Sequence, residues 1–181
     1  KVCNVKAGSA LLRDESLVGR ILEAVVGAEA VPVTLKIRTG WDAHSVNAID
    51  VARLAEDSGV DALFIHGRTR AQGYSGAPDY GIIAEVKKAL TIPVIASGDI
   101  LSPELAGKML DETGCDGLVV ARGAMGNPWI FRQIEEYLHS GQVTTRPSLE
   151  EILDTLWNHM ELCVSHYGDE VRGVKISRKL V

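Results

Sequence analysis

Cysteine is scarce in this sequence, and the three cysteines, Cys3, Cys115 and Cys163, stand far apart without a CxxC pair. This spacing indicates neither a zinc site nor a disulfide framework, so we expect no metal. No apolar run approaches the roughly 18 residues that a membrane-spanning helix requires, and no charged-then-apolar leader opens the chain. The sequence therefore favours a protein of a reducing, cytoplasmic environment without a membrane partner.

Positive charge is not in excess either, because 19 lysines and arginines face 24 aspartates and glutamates, for a net charge of -5. This balance argues against a protein that coats nucleic acid by bulk electrostatics, although a local basic face can coexist with an acidic total. With 181 residues and 46% hydrophobic content, the chain is long enough to bury a core. We expect one domain with an appendage at most.

What the sequence does contain is a repeat in which a short apolar run precedes an amphipathic, helix-like run. The predicted strands span residues 31–38, 62–68, 93–99 and 117–123, and the predicted helices between them span 45–58, 80–90 and 102–113. A further helix is predicted at about 14–26. The pattern indicates buried parallel strands with crossover helices. It suits either a (β/α)8 barrel or an open doubly wound sheet, and four such units cannot close a barrel alone.

The pattern changes after Gly123. Residues 128–140 and 148–167 have helical periodicity without a strand between them. We therefore predict that residues 1–140 form part of an α/β barrel and that residues 141–181 begin an α-helical appendage. The second predicted helix carries one apolar stripe, made of Leu149, Ile152, Leu153, Leu156, Met160 and Val164.

Polar side chains close each predicted strand, which is where β/α barrels place their active sites. Lys36 lies near the end of the first strand. Because an unpaired buried lysine is costly, we expect Lys36 to meet an anion, a polar cavity or a neighbouring carboxylate. His66 closes the second strand and fits a proton donor, a cofactor contact or a histidine satisfied by its own surroundings.

Two glycine-bearing loops, Ser97-Gly98-Asp99 and Ala121-Arg122-Gly123, follow consecutive predicted strands. Glycine lets the backbone approach a ligand, exposed N–H groups cradle phosphate, and arginine adds a bidentate cation. Glycine at a strand end is also ordinary turn chemistry, so either loop alone says little. Two in tandem favour the phosphate site that barrels build after their last strands.

Five stretches of the chain carry a resemblance to a known family: KVCNVKAGSALLRD, VPVTLKIRTGWD, IHGRTRAQGYSGAPDY, IPVIASGDILSPE and ARGAMGNPWIF. In this order and spacing they resemble the bacterial tRNA-dihydrouridine synthases, particularly the B-type subgroup. The resemblance implies the C-terminal half of an FMN-binding (β/α)8 TIM barrel, followed by the start of a helical tRNA-binding domain. It also implies NADPH as the reductant and tRNA as the partner.

The same resemblance implies roles for single residues. Lys36 is expected to contact the flavin ring system, where a cation stabilises reduced flavin, and His66 is expected beside the flavin. The flavin phosphate is expected at Ser97, Gly98, Asp99, Ala121 and Arg122, with Ser97 replacing the family's usual asparagine and Ala121 its usual glycine. The family's catalytic cysteine belongs to a Gly-Cys-Pro motif that would precede Lys1, so no catalytic residue is assigned here and Cys3 receives no role.

The activity implied is hydride transfer from flavin to a uracil of tRNA, giving 5,6-dihydrouridine, with the base drawn out of its stack. Candidates for the RNA face, each equally well explained as ordinary surface charge, are Arg68, Arg70, Arg172, Lys175, Arg178 and Lys179. Two alternatives stay open. One is another FMN- or phosphate-binding barrel oxidoreductase acting on a small metabolite, and the other is a non-catalytic, RNA-contacting fragment.

Overall fold

The computed structural model describes residues 3–28 and 30–177, which fold as alternating strands and helices. Short 3-10 helices occur at Cys3–Val5, Gly8–Arg13 and Arg122–Ala124. The strands are β1 (Thr34–Arg38), β2 (Ala62–His66), β3 (Val94–Ser97) and β4 (Gly117–Val119). The helices are α1 (Glu15–Ala28), α2 (Ala48–Asp57), α3 (Tyr80–Ala89), α4 (Pro103–Thr113), α5 (Ile130–Ser140), α6 (Leu149–Tyr167) and α7 (Glu170–Ser177).

The four strands form one sheet in the order β1-β2-β3-β4, and every neighbouring pair is parallel. A doubly wound sheet reverses its strand order at a switch point, whereas a barrel adds each strand beside the previous one. The sequential order observed here is that of a barrel wall, and these strands contain no switch point.

The two faces of the sheet differ in burial. The register pairs Ile37 with Ile65 and Ile65 with Ala96, and all three are buried. Side chains that pair across parallel strands point to the same face, so this face forms the core with buried residues of the helices, among them Val51, Ile83, Val86 and Met109. The opposite face carries the rows that begin with Lys36 and Arg38, and it is the less buried one.

The strands are shorter than predicted because their ends turn into loops. The first begins at Thr34 rather than at residue 31, and Val31 is 64% exposed. The third ends at Ser97, since Gly98 (φ +139°) and Asp99 (φ +50°) leave the extended region. Sequence periodicity locates a strand but does not indicate the residue at which its inter-strand hydrogen bonds end.

The helical region contains a helix that the sequence analysis did not separate. Ser148 caps α6, its Oγ accepting the Glu151 N–H at 3.1 Å. Gly168, in the left-handed region at φ +61°, ends α6. The chain then forms α7, whose Gly173 packs so closely that a Cβ there would stand 2.5 Å from Val164 Cα.

The chain forms two compact units. The first comprises residues 1–100 and 105–120, and the second comprises residues 101–104 and 121–181. The sequence analysis placed a domain boundary between residues 140 and 141, and that boundary stays a prediction. Within the described residues, no helix has both the length and the apolar character needed to cross a membrane.

Candidate functional site

Three of the predicted site residues meet on the less buried face of the sheet. Arg38, His66 and Ser97 form one row across β1, β2 and β3. Lys36 lies two residues before Arg38 on β1, on the same face of the sheet, and its Nζ donates to Ser97 Oγ at 3.3 Å. The same hydroxyl donates to the Ile65 carbonyl at 3.2 Å. The structure thus brings Lys36, His66 and Ser97 together at the carboxyl edge of consecutive strands.

The electrostatics of this edge are dominated by cations. Burial, together with repulsion from Arg38, Lys36 and Arg68 and against the opposing effect of Asp99, lowers the pKa of His66 from 6.5 to about 4. Partial loss of water around the Lys36 ammonium, together with repulsion from Arg38, lowers its pKa as well. An anion held here would relieve both repulsions.

The imidazole of His66 has an unmet bonding capacity. Its Nε2 is buried and has no hydrogen-bond partner among the described residues. Buried polar atoms in folded proteins nearly always find a partner, so an orphaned one points to a contact with something outside the chain. With its low pKa the ring is neutral near pH 7, and it presents one donor and one acceptor.

Gly98 is required by packing against the site itself. At φ +139° a side chain is strained, and a Cβ would stand 2.9 Å from Pro78 Cβ and 3.3 Å from His66 Cδ2. The tight turn therefore lets the loop after β3 lie directly beside the imidazole. The proposed contact of Gly98 and Asp99 with a phosphate stays a prediction.

Arg68 has a different role from the predicted one. It is 1% exposed, both of its terminal nitrogens bond the Asp99 carboxylate, and its Nε donates to the Ser75 carbonyl at 3.2 Å. The prediction of Arg68 as an RNA contact is therefore corrected, because its guanidinium is buried and bonded within the protein. It instead fastens the loop after β2 to the turn after β3.

Arg38 closes β1, and the sequence analysis assigned it no binding role. Its Nη1 donates to the carbonyls of Thr69 (3.0 Å) and Gly73 (2.9 Å), so it holds the loop after β2 from the other side. Tyr74 on this loop is 63% exposed, and its ring centroid lies 6.3 Å from that of His66. An arginine at the end of each of two adjacent strands was the signal available in the sequence.

The remaining predicted contacts are dispersed. Arg70 is exposed on the loop after β2, Ala121 and Arg122 are exposed after β4, and Arg172 and Lys175 are exposed on α7. Arg178 and Lys179 lie outside the described residues. In the part of the chain that the structure describes, no group of three or more histidine, cysteine or acidic side chains is arranged to hold a metal ion.

A solved structure shows the same kind of fold. The BexX/CysO complex of Amycolatopsis orientalis is similar over 75% of this chain and 54% of that one, at a TM-score of 0.50 and 19% identity. This likeness speaks for the fold alone. With the sequential order of the parallel strands, it confirms the predicted α/β fold, a partial (β/α)8 TIM barrel followed by helices.

Sequence relatives are much closer. The chain is 54% identical over 181 residues to tRNA-dihydrouridine synthase B of Pseudomonas putida, covering 100% of this chain and 53% of that protein. It is 53% identical over 181 residues to tRNA-dihydrouridine synthase B of Pseudomonas aeruginosa, covering 100% and 54%. The chain thus spans about half the length of the curated relatives it matches. The family model described as dihydrouridine synthase (Dus) matches residues 1–181, and the chain belongs to this dihydrouridine synthase family.

Proposed function

We propose that the chain serves in the reduction of specific uridines of tRNA to 5,6-dihydrouridine, with FMN as the cofactor, NADPH as the reductant and the cytoplasm as the location. Family membership and the names of the relatives support uridine reduction in tRNA. The flavin and its reductant rest on the resemblance and on the chemistry of the residues at the carboxyl edge.

One observation carries the cofactor assignment. Lys36, His66 and Ser97 converge on one face of three consecutive strands, with an excess of positive charge and an orphaned imidazole nitrogen. A ligand that suits this edge has negative charge and polar ring edges, and FMN has both. The residues present therefore fit the cofactor.

When bound, FMN supplies the hydride chemistry that neither lysine nor histidine can provide. Lys36 would hold its ammonium against the flavin ring system, where a cation favours the negative charge of the reduced form. His66, neutral near pH 7, would hydrogen-bond without adding a further charge. Ser97 positions Lys36 through its hydroxyl, and Gly98, Asp99, Ala121 and Arg122 are proposed to bind the phosphate.

Flavin binding by the 181-residue chain tests this assignment. We expect FMN fluorescence to be quenched on addition of the protein, and Lys36→Met and Arg122→Ala each to weaken binding about tenfold, as expected for a lost hydrogen bond to a charged group. Lys88→Met is the matched control, since Lys88 is an exposed lysine on α3.

The outcomes are distinct. A chain that does not quench FMN, or variants that bind it as the control does, would contradict the placement of the cofactor. Uridine reduction is then measured separately by mass spectrometry. A tRNA transcript incubated with the chain, NADPH and FMN gains the mass of two hydrogen atoms for each uridine that is reduced. If flavin is bound and a small carbonyl or nitro compound is reduced instead of tRNA, the alternative of a metabolite oxidoreductase replaces the proposal.

A further inference from the structure

A second cluster of side chains shares no residue with the set proposed to hold flavin. Trp41, on the loop after β1, lies beside two guanidiniums, with Arg70 Cζ 4.6 Å and Arg13 Cζ 5.2 Å from its ring centroid. Both arginines are exposed, and Trp41 is partly exposed. Arg13, Trp41 and Arg70 are called the Trp41 cluster below.

The loops that carry this cluster are tied together. The Arg70 N–H donates to the Gly40 carbonyl at 2.9 Å, and the Ala71 N–H donates to the Trp41 carbonyl at 2.8 Å. Gly40 also forms a bridge with Val46, and a Cβ at Gly40 would stand 2.3 Å from the Ser45 carbonyl oxygen. The backbone that carries Trp41 and Arg70 is therefore preorganised on the loops after β1 and β2, while Arg13 ends the 3-10 helix Gly8–Arg13.

An open cavity of about 610 Å³ adjoins the cluster, and Trp41, Arg13, Glu15, Asp42 and Asn47 are among the residues that line it. Its volume is that of an ordinary small-ligand site. Hydrogen bonds from Ser45 and the His44 N–H lower the pKa of Asp42, so this carboxylate stays an acceptor at neutral pH. Glu15 accepts from Asn47 Nδ2 at 2.7 Å.

This arrangement matches the chemistry of a nucleotide. Two guanidiniums beside one ring repel each other, and a phosphodiester between them would relieve that repulsion. The carboxylates oppose phosphate inside the cavity, but they accept well from ribose hydroxyls and from the N–H groups of a base. An indole offers a stacking surface to any base, and here a base would take the place of a guanidinium that now lies over the ring.

We infer that the Trp41 cluster and its cavity bind a single-stranded segment of RNA, with phosphates on Arg13 and Arg70 and a base against Trp41. The inference rests on the proposed function, which supplies tRNA as the partner, and it adds a docking position on the barrel unit. None of the residues proposed to hold flavin takes part in it.

The test uses Trp41 as its own reporter. The chain has three tryptophans, so Trp129→Phe with Trp157→Phe leaves Trp41 as the only one. Titration with oligouridylate is expected to quench this fluorescence, because a stacked base quenches indole emission. Trp41→Ala, followed with labelled oligouridylate, is expected to weaken binding about tenfold or more, as loss of one base-aromatic stack does.

The arginines are tested by the salt dependence of binding. In Arg13→Ala/Arg70→Ala the slope of log K against log salt is expected to fall by about 1.4, which corresponds to two phosphates of a single strand. Arg13→Lys/Arg70→Lys keeps both charges and should keep the slope. Arg20→Ala/Arg53→Ala is the charge-matched control, because both arginines are exposed elsewhere on α1 and α2.

The inference is overturned if the cluster variant and the control lose RNA affinity equally, or if oligouridylate does not quench the fluorescence of Trp41. The arginine substitutions lie at exposed side chains, and far-UV circular dichroism verifies that each variant, including those at tryptophan, is folded. The assay contains no flavin, so failure of RNA docking is distinguishable from failure of FMN binding. If the chain binds flavin but oligouridylate does not quench Trp41, the RNA inference is wrong and the proposed cofactor site is unaffected.

Discussion

At the scale of single residues, the buried guanidinium of Arg68 requires a counterion within the protein. Asp99 supplies it through a two-pronged ion pair, and removing one partner of a buried pair leaves an uncompensated charge. We therefore expect Asp99→Ala to lower the free energy of unfolding by about 3 kcal/mol in urea titrations. Asp111→Ala, at an exposed position of α4, is the control. Equal stability of the two variants would show that the ion pair does not hold the loop.

His66 makes stability depend on pH. Its pKa is lowered from 6.5 to about 4 in the folded protein, so below pH 6.5 the unfolded chain binds the proton more readily than the folded one. We expect the free energy of unfolding to fall as pH drops from about 6.5 towards 4, with no contribution from this histidine above about pH 7.

Urea titrations at about pH 7 and about pH 5 measure this effect. His66→Gln should show a smaller difference in the free energy of unfolding between these two pH values. His44→Gln, at an exposed loop position, should show the same difference as the unaltered chain. A difference as large in His66→Gln as in the unaltered chain would contradict the assignment to His66. Nuclear magnetic resonance titration of the imidazole reports its pKa directly.

At the scale of elements, α6 and α7 depend on one small residue. A Cβ at Gly173 would stand 2.5 Å from Val164 Cα and 2.7 Å from Val164 N, so the two helices must move apart to admit it. We expect Gly173→Ala to lower the free energy of unfolding by about 2 kcal/mol, the cost of overpacking. Thermal unfolding followed by circular dichroism measures it.

Gly27 provides the comparison, because it is also helical but has nothing within 4 Å of a built Cβ. Gly27→Ala should therefore leave the protein unchanged or stabilise it, since alanine favours helix by about 1 kcal/mol over glycine. If both substitutions destabilise alike, close packing at Gly173 is not the cause.

The elements also show what the sequence could predict. The hydrophobic period indicates all four strands and every helix except α7, with His66 at the end of β2 and Lys36 two residues before the end of β1. The contacts of Arg68 with Asp99 and of Arg70 with Trp41 join residues of different loops. A local pattern cannot reveal them, because they depend on which strand ends become neighbours. Arg68 was therefore mistaken for a surface cation.

At the scale of the whole molecule, the two compact units bury very different amounts of apolar surface. Most of the buried hydrophobic side chains belong to the first unit, while the second contributes Ile130 and Ile134. No residue of α6 is buried, and its predicted apolar stripe leaves Leu149 72% and Leu153 57% exposed. Since burial of apolar surface dominates the free energy of folding, we expect the second unit to have the smaller free energy of unfolding.

Urea should therefore unfold the second unit first. Trp41 reports on the first unit, and Trp129, whose Nε1 donates to Glu151 Oε1 at 2.8 Å, reports on the second. In variants that keep one of these tryptophans at a time, we expect the Trp129 transition at a lower urea concentration and with a smaller slope, because less surface becomes exposed. Coincident transitions would contradict this prediction and would mean that the chain unfolds as one cooperative body.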